Sequence, residues 1–358
     1  MNINISLKKS SQLFVLCFTL AGLALAQNKA ANQKDSATFD PDGTAYITRV
    51  VPNPTTVSPE AQQWLASVGQ HPRGTQTLAE RRASTDAWRV RNAAEAKKLY
   101  PVNIEQKKIA GIPVDIITPL SAPKANRDLV LINLHGGGFN SDSGSQIEGV
   151  PIANLAKIKV IGVYYRLAPE NPFPAAVDDV VAVYKVLIKA YKPRNIGMYG
   201  TSAGATLTGE VAVKLKQLGL PLPGALGIFS THCDYSRFGD SYQLFTLSGF
   251  PGSLQPRYSD GPSADEMYVG HSDRKNPVLS PFFADLHGMP PALLISGTRD
   301  LLLSDTARLH RALLAAGDDA QLVVFEAMPH AFWYNFQLPE TTEALKLMAK
   351  FFDTKLGH

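Results

Sequence analysis

A serine with glycines two positions away on either side stands at Gly200-Thr201-Ser202-Ala203-Gly204. That spacing suits a nucleophile, because a sharp turn holds the serine backbone in a strained conformation and leaves no room for side chains at its flanks. The residues before it are apolar and those after it are rich in Ala, Leu and Thr, so the pattern predicts a strand turning directly into a helix. The Ser202 hydroxyl would then sit at the head of that helix, where free amides and the helix dipole favour developing negative charge.

Such a serine needs a place for an oxyanion and a base. His135-Gly136-Gly137-Gly138-Phe139 follows an apolar run ending at Leu134, and its consecutive glycines let bare amides approach a ligand. A loop of this type pairs with the amide after the nucleophile, here Ala203. His135 itself reads as an anchor of the loop. His330 lies just past the last apolar run, whereas His71, His232, His271, His287 and His310 lack such a setting and His358 is terminal. Asp300 follows another apolar run, in Ile295-Ser296-Gly297-Thr298-Arg299-Asp300. Asp305 is the rival acid, but it falls inside the next expected helix. The order Ser202, Asp300, His330, with both partners at strand ends, is the α/β-hydrolase order.

The elements that must position these groups follow from periodicity. Residues 102–109 and 112–117 alternate as an antiparallel hairpin near Gly111. Short apolar runs at 128–134, 160–164, 196–199, 225–229, 292–296 and 322–325 read as strands buried on both faces. Helical stretches at 145–156, 175–191, 203–218 and 304–316 separate most of them. This alternation predicts a doubly wound, mostly parallel α/β sheet. Residues 231–275 break it, carrying many aromatics and no clear strand, and read as an insertion over the carboxyl ends of the strands, where ligands bind. Ahead of the sheet, Ser58-Pro59 opens a short helix closing near Gly69. A second begins at Thr77 with Glu80 completing a capping box, and carries Ala83, Ala87, Val90 and Ala94 on one face.

Lys8 and Lys9 precede an apolar run from Leu13 to Ala26 that ends Ala24-Leu25-Ala26. This is the form of a cleavable signal peptide over residues 1–26, so the mature chain is expected in the periplasm or medium. The run falls short of the roughly 20 residues a spanning helix needs. With Cys17 removed, only Cys233 remains, and no intramolecular disulfide can form. Residues 27–56 are polar, with Pro52 and Pro54, and read as a loose lead-in. Over the 358 residues the formal charge is only +4, with no dense basic stripe, which argues against nucleic acid as a partner.

The motifs HGGGF at His135, Tyr165-Arg166-Leu167-Ala168-Pro169-Glu170 with Phe173-Pro174-Ala175, GTSAG at Gly200, and Asn276-Pro277 to Ser280-Pro281 together resemble the bacterial hormone-sensitive lipase family of esterases. The resemblance spans roughly residues 130–350. It implies an α/β-hydrolase fold over 101–358 and a helical cap built from the segment within 27–100 and the 231–275 insertion. It also implies a triad of Ser202, Asp300 and His330, with an oxyanion hole at Gly136, Gly137 and Ala203. Arg166 and Asp179 correspond to the family's structural polar pair. Thr201 stands where many members have Asp, and Leu301 where Pro is usual after the acid. The implied reaction is hydrolysis of a small short-chain acyl ester through an acyl-enzyme, with no metal or organic cofactor. Tyr235, Phe238, Tyr242, Phe245 and Phe250 are candidates to line a closed acyl pocket. A lactone hydrolase would use the same triad, and a non-catalytic small-ligand receptor on this fold would be expected to lack His330. A peptidase would need a larger domain ahead of the sheet.

Overall fold

The computed structural model describes residues 35–68, 76–250 and 263–357, which fall into a unit up to Pro54 and a second from Thr55 onward. The expected signal segment lies outside the described residues. In the first unit, β1 (Ser36–Phe39) and β2 (Ala45–Thr48) form an antiparallel hairpin where the composition reads as loose. The reason is local: Asp40-Pro41-Asp42-Gly43 makes a turn in which Gly43 adopts φ 89° and its amide donates to Asp40 O, between two β-prone tetrads.

The second unit begins with α1 (Pro59–Val68) and α2 (Leu78–Leu99). The Thr77 side chain caps the amide of Glu80 and the Glu80 carboxylate returns to the Thr77 amide, as the sequence predicts. The buried face of α2 is not the expected one. Ala83, Ala87, Val90 and Ala94 are exposed, whereas Thr85, Ala93 and Ala96 are buried, with Arg82 and Arg89 on the same side. Long polar side chains do this packing through ion pairs and carbonyl contacts, which an apolar periodicity does not register.

The sheet consists of β3 (Val102–Ile109), β4 (Ile112–Pro119), β5 (Val130–Leu134), β6 (Lys159–Val163), β7 (Ile196–Thr201), β8 (Ala225–Phe229), β9 (Ala292–Gly297) and β10 (Ala320–Phe325). Their order is β10-β9-β8-β7-β5-β6-β4-β3, with β10 through β6 parallel and β3 and β4 antiparallel at one edge. Four of the five parallel crossovers carry a full helix, α3 (Ser145–Ala156), α4 (Ala175–Ala190), α5 (Ala203–Gln217) and α8 (Leu303–Ala315), and the one from β8 to β9 carries the insertion. Two short helices, α6 (Asp240–Leu244) and α7 (Ala264–Val269), lie in the insertion. The chain closes with α9 (Pro339–Lys355), which follows the last strand and so stands outside the alternation that marked the others.

Alternate residues of the strands feed two cores. Val130, Ile132, Leu134, Met198, Leu226 and Ile228 join the core with α4 and α5, while Leu131, Tyr199, Phe229 and Ile295 face α3 and α9. Burial on both faces fixes the strand register, because a slip by one residue would exchange the two side-chain sets. The register in turn aligns Leu134 with Gly200 and Thr201 with Phe229, and Phe229 with Ile295, so the carboxyl ends of β5, β7, β8 and β9 stand side by side.

Candidate active site

Ser202 leaves β7 at φ 59° and ψ −124°, a strained backbone, and α5 begins at the next residue. Its amide donates to Phe229 O at 3.0 Å, which fastens the turn to β8. The flanking glycines are obligatory on geometry: a Cβ at Gly200 would lie 2.2 Å from Leu134 O, and one at Gly204 would lie 1.8 Å from it. Neither the strand nor the helix can move its backbone to make room.

Asp300 and His330 meet beside this turn. His330 Nδ1 lies 3.0 Å from Asp300 Oδ1 and 2.8 Å from Ser230 Oγ, with both partners fully buried. Asp300 also accepts from Ser296 Oγ at 2.9 Å and from the Leu302 amide at 2.9 Å. Burial alone would raise the Asp300 carboxyl, but His330, Ser230 and the Leu302 amide outweigh it and hold the group below its ordinary value. Nδ1 is therefore committed to the acid and Nε2 is the nitrogen left to act. Among the described residues no hydrogen bond joins His330 to Ser202, a spacing common before substrate arrives. The rival Asp305 is engaged elsewhere: its Oδ2 lies 3.1 Å from His232 Nδ1, and its Oδ1 takes Arg308 at 3.1 Å.

The glycine loop leaves β5 through a second set of unusual torsions, with Gly137 at φ 120°, Gly138 at 62° and Phe139 at 60°. A Cβ on Gly137 would sit 2.0 Å from Ser141 O. His135 anchors the loop, as read from sequence: its ring stacks on Tyr165, whose hydroxyl donates to His135 O, and its Nδ1 lies 2.8 Å from Gly136 O. From α2, Arg82 donates to Asn140 O, Ala168 O and both oxygens of Glu170, holding this loop to the one after β6. That pairing draws Glu170 down to about 2. Arg166 and Asp179 likewise bond each other, at 2.8 Å.

The amides of the loop are not equivalent. Gly136 N points at Glu148 Oε1, 3.4 Å away, whereas among the described residues Gly137, Gly138 and Ala203 offer amides without an intramolecular acceptor. Gly136 is thus the least available of the three donors expected from sequence. Glu148, Tyr334, Ser230 and Arg82 are site residues that motif reading missed. No spacing marks them, because each reaches the site from a different element.

Comparison with known proteins agrees with this fold. A family model for the alpha/beta hydrolase fold covers residues 131–334. A crystal structure of an esterase is 34% identical with a TM-score of 0.75, over 86% of this chain and 98% of its own. Another, described as an esterase from the bacterial hormone-sensitive lipase family, is 31% identical with a TM-score of 0.68, over 84% and 99%. The chain belongs to the bacterial hormone-sensitive lipase family of α/β-hydrolase esterases. Among curated relatives, an acetyl-hydrolase of Streptomyces hygroscopicus is 29% identical across 75% of this chain and 93% of its own, and an esterase of Acinetobacter venetianus is 28% identical across 71% and 84%.

The two departures from the family pattern have structural uses. Thr201 Oγ1 accepts from Trp333 Nε1 at 3.1 Å, tying the serine turn to the segment after His330. Leu301, in place of Pro, packs with Leu302 and Tyr242 in a small buried cluster against Phe238, Phe245 and Leu247. Leu301, next to the candidate acid, is thus packed against apolar groups from the insertion. Of the five aromatics expected at a pocket, Tyr235 and Tyr242 are buried in packing, and Phe250 is exposed beneath the Arg299 guanidinium.

Proposed function

We propose that the protein is an exported serine carboxylesterase acting on short acyl esters, with Ser202 as nucleophile, His330 as base and Asp300 as its orienting acid. The observation that carries this reading is the buried Asp300 to His330 contact on Nδ1, at strand ends beside the strained serine turn. With Nδ1 bound to the carboxylate, neutral Nε2 takes the Ser202 proton as the oxygen attacks the ester carbonyl. The Gly137 and Ala203 amides, with Gly138 adjoining, receive the oxyanion. The imidazolium then protonates the leaving alcohol, an acyl-enzyme remains, and water attacks it by the same route in reverse.

Short acyl groups accord with the name acetyl-hydrolase carried by one relative. A pocket of fixed depth gains about 0.8 kcal/mol per buried methylene until it is full. A p-nitrophenyl ester series should therefore peak at about four to six acyl carbons, a rough figure for a capped pocket. Ser202→Ala should remove that activity by several orders of magnitude while the melting transition persists. Turnover near wild type in the purified variant would refute the assignment. Export rests on the charged and apolar segment ending at Ala26. Intact mass of the protein recovered from outside the cytoplasm should place its first residue at Gln27, and an uncleaved start would reject cleavage there.

A further inference from the structure

A buried carboxyl lies behind the oxyanion loop and takes no part in the reaction described above. Glu148 sits on α3 with 4% of its surface exposed. Its Oε1 accepts from the Tyr334 hydroxyl and faces Gly136 N at 3.4 Å, and its Oε2 accepts from Asn133 Nδ2 at 3.0 Å. One side chain thus touches the end of β5, the first glycine of the loop and the segment that follows His330. The fit is close, since a Cβ on Gly144 would lie 2.1 Å from Glu148 Oε1 and 2.7 Å from the Tyr334 hydroxyl. Its other surroundings include a small cavity bordered by Ile152, Phe229 and Met348.

We infer that Glu148 is a positioning residue for the oxyanion loop, and that its charge state sets how well the hole stabilises an oxyanion. The inference rests on the proposed roles of Ser202 and the loop amides. As a neutral acid, Glu148 supports the Gly136 peptide without bringing negative charge to the back of the hole. As a carboxylate, it opposes charge forming on the substrate oxygen through a medium with little water to screen it. Desolvation pushes the group up to about 8, although Tyr334, Asn133 and the Gly136 amide pull the other way. The other titratable or charged groups around it are Asp142 on the loop, paired with His135 and Arg89, and the phenols Tyr165, Tyr199 and Tyr334. The phenols are all raised by burial and remain neutral through this range, and Asp142 is held low, so Glu148 is the group of this set that changes charge near pH 8.

The test is kcat/KM against pH for the wild type and Glu148→Gln, on an ester for which acylation limits the rate. The wild type should fall about tenfold on the alkaline side with a midpoint near 8, and Glu148→Gln should lose that fall while keeping the acid limb set by the base. Inhibition by a trifluoromethyl ketone, which forms an oxyanion in the hole, should weaken over the same pH range in the wild type alone. An alkaline limb unchanged in Glu148→Gln, or absent from the wild type up to pH 9.5, would overturn the inference. Should Glu148→Gln not fold, Tyr334→Phe serves: losing a hydrogen bond that favours the ionised form should move the alkaline midpoint upward, and an unmoved midpoint overturns it equally. Ser202→Ala separates the two levels, since full activity there removes the reading of the site, whereas an inactive Ser202→Ala with an unaltered Glu148→Gln profile removes only the role of Glu148.

Discussion

If His330 is the base, as proposed, the two residues that hold its Nδ1, Asp300 and Ser230, should not count equally. Asp300→Asn keeps the shape but presents an amide donor to Nδ1, so the imidazole is turned to the wrong tautomer, and kcat should fall about 10⁴-fold. Ser230 also touches Nδ1 but leaves the carboxylate in place, so Ser230→Ala should remove about 1 kcal/mol, roughly fivefold in kcat. Steady-state kinetics on both variants checks the ranking, and a larger loss in Ser230→Ala would reverse it. The triad candidates were legible in the sequence because a glycine-flanked serine and polar groups at the ends of apolar runs are local signals. Ser230 was not, since a serine one residue past β8 has no neighbouring residue that marks it. Arg82 and Tyr334 were hidden for the same reason, as each acts on residues many positions away.

Among the elements, the crossing of β7 into α5 is the least tolerant of change. Gly204→Ala would drive a methyl group into Leu134 O, and both that carbonyl and the helix carrying the methyl are backbone that hydrogen bonds fix in place. We expect a loss above about 4 kcal/mol, seen as insoluble protein or an absent melting transition. Gly209→Ala on the same helix is the control, because its added methyl meets Pro281 Cγ at an ordinary 3.4 Å and alanine is the better helix former by up to about 1 kcal/mol. A melting temperature unchanged or raised in Gly209→Ala and lost in Gly204→Ala would show that the clash, not the added carbon, is decisive. Elements buried on two faces were readable as apolar runs, and the hairpin of β3 and β4 as alternation. The orientation of α2 was misread because its inward side is built from arginine and threonine, and the hairpin of β1 and β2 was overlooked because its apolar residues are exposed.

At the scale of the whole molecule, buried acids give stability a definite dependence on pH. Glu148 is raised from 4.5 to about 8 and Glu210, bonded to Tyr268, is raised as well, so the folded state holds protons that the unfolded chain has released. The stability associated with Glu148 is complete below about 4.5 and is lost as pH rises toward 8. Asp142 and Asp300 act in the opposite sense, since both are lowered below 3.8 and their contribution disappears as pH falls through their folded values. Thermal melts should therefore be highest in mildly acid solution and decline toward pH 8.5, with a shallower decline in Glu148→Gln. Melts that rise steadily from pH 5 to 8.5 would contradict the burial of these two glutamates as protonated acids.

The order of the strands has a consequence for a chain made from one end. The glycine loop and the serine turn come from β5 and β7, whereas the acid and the base follow β9 and β10, with β8 laid between the two groups. On the proposed roles, a growing chain would carry its oxyanion donors and nucleophile before the residues that remove the serine proton. Activity would then require the segments that follow β9 and β10, so a chain truncated ahead of them should be inactive on esters.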